Sequence, residues 1–149
     1  MKNILVVKMS SIGDVIHALP VSWAIKETYP DAHLTWVVEP PAYDIVAMDK
    51  CIDEIILFHK KEFRSFGGFL KNFGPLREKI QARDYDAVLD LQGLFKSAAV
   101  AALAKAPKGM KFGMWNMREG SKYVSQPVVG EHVHDHVIER YLDTARAIG

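Results

Sequence analysis

Cysteine is nearly absent from this sequence. The 149 residues include a single one, Cys51, so the chain cannot form an internal disulfide bond. A chain without disulfides is typical of a reducing compartment. No histidine stands in a recognisable catalytic motif with this thiol, and we therefore expect Cys51 to be a small core residue rather than a nucleophile.

An excess of one charge and a long apolar run are also lacking. The 19 Lys and Arg residues nearly balance the 18 Asp and Glu residues, which gives a formal net charge of +1. Bulk charge therefore argues against a nucleic-acid partner. No uncharged apolar run approaches the ~18 residues of a membrane-spanning helix. The first residues are typical of a strand, so we also expect no signal peptide.

Short apolar runs alternate with helical patterns along the whole chain, whose length fits one domain. This alternation predicts an α/β fold of Rossmann-like type, with a parallel sheet covered by helices on both faces. The predicted strands are 3–7, 34–39, 54–58, 86–91 and 111–114. The predicted helices are 14–28, a short one from Pro40 to about Met48, 76–83, one that ends near Ala104, and one over about 137–148.

The turn after the first strand is rich in polar groups. Ser10, Ser11, Gly13 and Asp14 lie where the chain passes from a strand to a helix. In open α/β sheets, ligands bind at the carboxyl ends of the strands. The serine hydroxyls can bind anionic oxygens, Gly13 permits an unusual backbone conformation or the close approach of a ligand, and Asp14 is the only carboxylate. Ser and Asp also cap helices, so capping and chemistry both remain open here.

A second strand-to-helix turn follows the fourth predicted strand. Gln92, Gly93, Lys96 and Ser97 are placed there for polar contacts. The alternative is that Gly93 only makes a turn and that Lys96 is solvated.

Residues 59–83 form a long connection in which basic residues outnumber Glu62 and Glu78. Glycine and proline at 67–68 and 74–75 predict breaks in any helix there. Lys60, Lys61 and Arg64 alternate with phenylalanines, a pattern that can bind phosphates or an anionic membrane surface. Charge alone favours a solvated surface. The interleaved phenylalanines are Phe63, Phe66, Phe69 and Phe73.

Three histidines alternate near the end of the chain, at His132, His134 and His136. They would share one side only in a strand, whereas a helix is predicted to begin there. The spacing matches no recognised metal site, so we expect no bound metal.

Four segments resemble those of the lipopolysaccharide heptosyltransferases, an inverting glycosyltransferase family with the two-domain GT-B fold. They occur in the expected order and span the chain: KMSSIGDVIHALP at 8–20, WVVE at 36–39, YDAVLDLQGLFKSA at 85–98 and HVIERYLDTARAIG at 136–149. The sequence DLQGLFKS at 90–97 is most similar to the type I members, which add the first heptose to the Kdo residues of the inner core.

The resemblance implies roles for individual residues. Asp14 would be the catalytic base, and Ser10 and Ser11 would line the cleft. The basic connection and Arg118 would meet the anionic acceptor, Kdo-lipid A. The family needs no cofactor beyond its donor substrate, ADP-heptose.

The resemblance also implies a second domain. In this family a carboxyl-terminal Rossmann-like domain holds most of the ADP-heptose site, and we expect that domain to be absent from residues 1–149. The isolated chain would then be the acceptor-side half and inactive. A family member of this kind would be cytoplasmic and peripheral to the inner membrane.

Two other functions remain open from the sequence. Glu39 ends the second predicted strand, where dinucleotide-binding oxidoreductases hold a ribose, although the first turn has one glycine and not the G-x-G-x-x-G set. A module that binds an anionic glycolipid without catalysis is the other possibility.

Overall fold

The computed structural model describes residues 2–63, 65–92, 95–107, 110–114, 126–128, 142 and 145–147. The described residues include six strands: β1 (Asn3–Val7), β2 (His33–Val38), β3 (Glu54–Leu57), β4 (Ala87–Asp90), β5 (Lys111–Met114) and β6 (Gln126–Val128). The α-helices are α1 (Ile12–Ala18), α2 (Pro20–Thr28), α3 (Tyr43–Ala47), α4 (Phe66–Ile80) and α5 (Phe95–Leu103). Short 3-10 helices cover Pro40–Ala42 and Lys60–Phe63.

The six strands form one sheet in the order β3-β2-β1-β4-β5-β6, and all five pairings are parallel. This order confirms the predicted Rossmann-like fold. From the central β1, the chain proceeds to β2 on one side and later returns to β4 on the other. The turns after β1 and β4 therefore flank the switch point, which is the usual ligand crevice of such sheets.

The sequence did not predict β6. This strand is only three residues long, contains Pro127 and lies at the edge of the sheet. Proline cannot donate a ladder hydrogen bond, so an edge is where a strand tolerates it. Neither its length nor its composition distinguishes it from a loop.

Both faces of the sheet are buried, as predicted. Alternate residues of β1 pack on opposite sides: Ile4 and Val6 belong to one core cluster, and Leu5 and Val7 to the other. The first cluster is covered by α1 and α2, and the second by α4 and α5. The final predicted helix falls largely outside the described residues, but Ala145 is buried in the first cluster.

The predicted helix over 14–28 is two helices in the structure. The first begins at Ile12 and ends at Ala18, and Pro20 begins the second. Proline has no backbone N–H to contribute, which suits it to the first position of a helix. Pro20 thus opens the main helix, one of the two alternatives that the sequence allowed.

The predicted breaks in the 59–83 connection are wrong, because α4 runs without interruption from Phe66 to Ile80. Ser65 caps it by accepting a hydrogen bond from the Gly68 N–H at 3.0 Å, so the glycines begin the helix rather than break it. An internal proline costs about 3 kcal/mol. Burial of Leu76 and Ile80 on the sheet after Pro75 offsets that cost.

Cys51 is half-buried rather than part of the core, and burial and the nearby Asp49 carboxylate raise the pKa of its thiol. Among the helices of the described ranges, none combines the length and the apolar character needed to cross a bilayer.

Candidate functional site at the carboxyl edge of the sheet

The turn after β1 places Ser11 immediately before α1 and Asp14 in its first turn. Ser11 Oγ donates a hydrogen bond to Asp14 Oδ2 at 3.0 Å, and the Ser11 N–H points to the same oxygen at 3.4 Å. The Ser10–Ser11 peptide bond is cis. These contacts are those of a helix cap. Because both residues are exposed, the same carboxylate is also accessible to a substrate.

Gly13 lies inside α1, so it is not needed for a backbone conformation closed to other residues. A Cβ built at this position would have no neighbouring atom within 4 Å. Of the two reasons that the sequence suggested for this glycine, the close approach of a ligand is the one compatible with the structure.

The turn after β4 is joined to this first turn by Gln92. Its Oε1 accepts hydrogen bonds from the backbone N–H groups of Met9, at 3.2 Å, and Ser10, at 3.3 Å. The structure therefore brings the predicted site residues Gln92 and Ser10 together. The side-chain oxygen of Gln92 binds main-chain N–H groups of the protein itself, a role that the sequence did not predict.

Buried polar residues surround the two turns. Lys8, Asp90 and Ser97 are almost completely buried, and Ser97 Oγ donates to Asp90 Oδ2 at 3.2 Å. Val7 and Asp90 are register partners in β1 and β4. Burial of charge is costly unless it is compensated, which marks this edge as specialised. Sequence reasoning missed Asp90, although a carboxylate at the end of an apolar strand was the available signal.

A pocket of about 370 Å³ lies farther along the same edge, beyond β2 and β3. Its lining includes Glu39, which directly follows β2, and Lys60 and Lys61 after β3. The Glu39 N–H donates to the Met9 carbonyl at 3.1 Å, which connects the pocket to the first turn. The complete lining is Glu39, Pro40, Pro41, His59, Lys60 and Lys61.

Parallel pairing thus gathers four connections in one row. From Gln92 the row passes through the turn at Ser10 and Ser11 to Glu39, and then to the two exposed lysines. An elongated anionic ligand could contact hydroxyls at one end and cations at the other. Of the other predicted residues, Arg64, Gly93 and Arg118 lie outside the described residues, as does the side chain of Lys96 in the first turn of α5. The alternating histidines at 132, 134 and 136 also lie outside them.

The opposite edge of the sheet also contains charged groups, but their contacts are structural. Backbone N–H groups of Asn3 and Lys2 donate to the Asp86 carboxylate and lower its pKa. Burial raises the pKa of Asp53, but hydrogen bonds from Lys26 and the Leu34 N–H outweigh that effect and leave it lowered. Both carboxylates tie the starts of strands to neighbouring segments.

Comparison with known proteins identifies the family to which this fold belongs. The model of glycosyltransferase family 9 (heptosyltransferase) matches residues 74–148. The chain belongs to this family. That result confirms the resemblance seen in the sequence and favours a transferase over a dinucleotide-dependent oxidoreductase.

Within family 9, the curated relatives similar to this chain are lipopolysaccharide heptosyltransferases. Over 115 residues, 75% of this chain, it is 36% identical to lipopolysaccharide heptosyltransferase 1 of Escherichia coli (strain K12). Over 148 residues it is 27% identical to the lipopolysaccharide core heptosyltransferase OpsX of Haemophilus influenzae. The matched regions are 35% and 41% of these relatives, so the chain spans well under half of their length.

A solved structure agrees with the sequence relatives. The E. coli heptosyltransferase WaaC with ADP-2-deoxy-2-fluoro heptose superposes with a TM-score of 0.80 at 30% identity. The superposition covers 97% of this chain and 47% of WaaC. This family 9 chain therefore corresponds to part of a GT-B glycosyltransferase.

Proposed function

We propose that this chain is the acceptor-binding half of an inverting lipopolysaccharide heptosyltransferase. In this proposal L-glycero-D-manno-heptose is transferred from ADP-heptose to Kdo of the inner core of lipid A. A second, donor-binding domain supplies most of the ADP-heptose site, and the 149 residues alone do not catalyse transfer. Family membership and the name of the E. coli relative support this choice of substrates.

The observation that carries the proposal is the continuous polar row at the carboxyl edge. Hydroxyl groups and a carboxylate lie at the switch point, and Lys60 and Lys61 line the pocket at the β3 end. An acceptor that bears carboxylates and phosphates matches this distribution, with its anionic groups at the lysines and its reactive hydroxyl near Asp14.

The proposed mechanism is a single displacement. The Asp14 carboxylate takes the proton from the acceptor hydroxyl as that oxygen attacks the anomeric carbon of heptose. The bond from this carbon to ADP breaks, and ADP leaves with the bonding electrons. A positioned general base contributes typically ~10²–10⁴-fold to the rate. The exposed position of Asp14 beside Ser11 is compatible with this role.

The basic part of the row provides the test of acceptor binding. In a two-domain protein that contains this chain, we replace Lys60, Lys61 and Arg64 with Ser. The KM for acceptor should rise by a larger factor than kcat falls. The difference in acceptor KM between the variant and the unsubstituted protein should shrink as salt is added, since charges are screened over ~8 Å at physiological ionic strength.

A matched control removes the same charge elsewhere. Lys50, Lys79 and Lys105 are exposed and lie away from the pocket, so their replacement with Ser should leave the acceptor KM unchanged. If the first variant also keeps its acceptor KM, the segment is only a solvated surface and the acceptor assignment fails.

We also propose that α4 brings the protein to the cytoplasmic face of the inner membrane. Phe69 contacts two other rings: it meets Phe63 edge to face, with centroids 6.1 Å apart, and stacks on Phe73, with centroids 5.2 Å apart. Phe66 and Leu70, one turn apart, instead point outward and are 78% and 63% exposed. Two outward apolar side chains in the helix that follows Lys60 and Lys61 suit an anionic leaflet that contains the lipid acceptor.

Vesicle flotation tests this contact. The protein should float with vesicles that contain anionic lipid, and Phe66→Ser with Leu70→Ser should reduce partitioning by about tenfold or more, because burial of a large apolar side chain is worth roughly 1.5–3 kcal/mol. Met48→Ser with Trp23→Ser removes two other exposed apolar side chains and should change little. Equal loss in both variants would overturn the assignment to α4.

A further inference from the structure

Gln92 contacts the main chain of a distant turn. Its side-chain oxygen lies 3.2 Å from Met9 N and 3.3 Å from Ser10 N, and these partners are 83 and 82 residues away in sequence. Both partners are N–H donors, which only an acceptor can satisfy. The amide oxygen rather than the amide nitrogen must therefore face the turn.

The main chain of Gln92 is itself fixed to the interior. Its N–H donates to Asp90 Oδ1 at 3.0 Å, and Ser97 Oγ donates to the other oxygen of the same carboxylate at 3.2 Å. Asp90 and Ser97 are completely buried. Gln92 is thus held by the end of β4 and by α5, and it offers a rigid acceptor to the neighbouring turn.

The first turn is held from the other side as well. The Glu39 N–H donates to the Met9 carbonyl at 3.1 Å, and Trp36 Nε1 donates to the Lys8 carbonyl at 3.0 Å. The segment from Lys8 to Ser10 therefore lies between β2 and the Gln92 amide. Ser11, which follows directly, donates through its N–H and its hydroxyl to Asp14.

We propose that Gln92 is a positioning residue for Asp14. By accepting from Met9 N and Ser10 N, it fixes the backbone that leads into the Ser11–Asp14 contact, and so determines where the Asp14 carboxylate stands. The inference rests on the proposed function, in which Asp14 is the base. It gives the Gln92 oxygen an internal role in place of a direct substrate contact.

Two substitutions distinguish the contribution of the acceptor oxygen from that of side-chain size. Gln92→Glu keeps an oxygen acceptor at the same distance from the backbone, whereas Gln92→Met keeps the length but offers only a weak sulfur acceptor. Gln81→Met serves as the control. Gln81 Nε2 donates to the Leu103 carbonyl at 2.8 Å, a bond of similar kind near the end of α4.

The first measurement is amide hydrogen exchange on the chain itself. Met9 and Ser10 should be protected in the unsubstituted protein. Their exchange should be about tenfold faster in Gln92→Met, in line with the loss of one hydrogen bond for each amide. Protection should persist in Gln92→Glu and in Gln81→Met. Unprotected amides in the unsubstituted protein would overturn the proposed contact even if the variants fail to fold.

The second measurement is turnover in a two-domain protein. Gln92→Met should lower kcat by roughly 10–100-fold with little change in the acceptor KM, because small displacements of a reacting group are costly. Gln92→Glu should restore much of the loss, and Gln81→Met should match the unsubstituted protein.

The outcomes distinguish this inference from the function on which it rests. An unsubstituted protein that transfers no heptose would overturn the proposed function. An active protein in which Gln92→Met keeps its kcat would overturn the positioning role alone. A rise in acceptor KM with unchanged kcat would also overturn that role, because it would assign Gln92 to substrate binding.

Discussion

At the scale of single residues, Asp14 combines a structural contact with a proposed catalytic role. Its carboxylate accepts from Ser11 as a helix cap does, and the same residue is the proposed base. Asp14→Asn preserves an oxygen acceptor for the cap but removes the base. In a two-domain protein we expect kcat to fall by ~10²–10⁴-fold with little change in donor affinity.

Asp44→Asn is the matched control, because Asp44 is also exposed and lies in the first turn of α3. It should leave kcat unchanged. Near-normal turnover by Asp14→Asn would reduce Asp14 to a helix cap and remove the base from the mechanism.

Local spacing was sufficient to predict some of these residues and not others. Ser10, Ser11 and Asp14 are neighbours in sequence, so a turn between a strand and a helix was enough to group them. The bonds of Gln92 join residues more than 80 positions apart. No local pattern specifies which backbone N–H groups an amide will meet, since that depends on the order of strands in the sheet.

At the scale of elements, α4 shows where propensity misleads. Glycine and proline predicted breaks, but the position of each residue within the helix matters more than its average preference. Gly68 is required by close packing, since a Cβ there would lie within 2.9 Å of Ser65 Oγ and closer still to the Glu62 carbonyl oxygen. Its neighbour Gly67 has no atom within 4 Å of the same position.

These adjacent glycines form a matched pair for a stability measurement. Gly68→Ala should destabilise the chain by roughly 1–3 kcal/mol, because the added methyl meets the backbone. Gly67→Ala should be neutral or stabilise by up to about 1 kcal/mol, because alanine is the better helix former. Urea unfolding measures the free energy of unfolding of both variants. Equal changes in the two would contradict the close contact of α4 with the 3-10 helix before it.

At the scale of the whole molecule, parallel pairing produces the candidate site. The sequence predicted β1 to β5 and their parallel sheet correctly, because period and turn residues are local signals. The pocket bounded by Glu39 and the two lysines was not predicted. It forms only when the end of β2 lies beside the end of β3, and the strand order sets that arrangement.

The central claim at this scale is that this chain binds the acceptor and a second domain binds the donor. Holding donor and acceptor together can account for ~7–11 kcal/mol of the barrier, and an isolated acceptor side provides no such alignment. The chain should nevertheless fold, because six strands and the helices on both faces enclose two core clusters.

Calorimetric titration of the isolated 149-residue chain tests this claim most directly. The chain is titrated separately with deacylated Kdo-lipid acceptor and with ADP-heptose, and the mixture is then assayed for transfer. We predict acceptor binding that weakens as salt is added, at most weak binding of ADP-heptose, and no transfer. Tight donor binding without acceptor binding, or heptose transfer by these residues alone, would contradict the account.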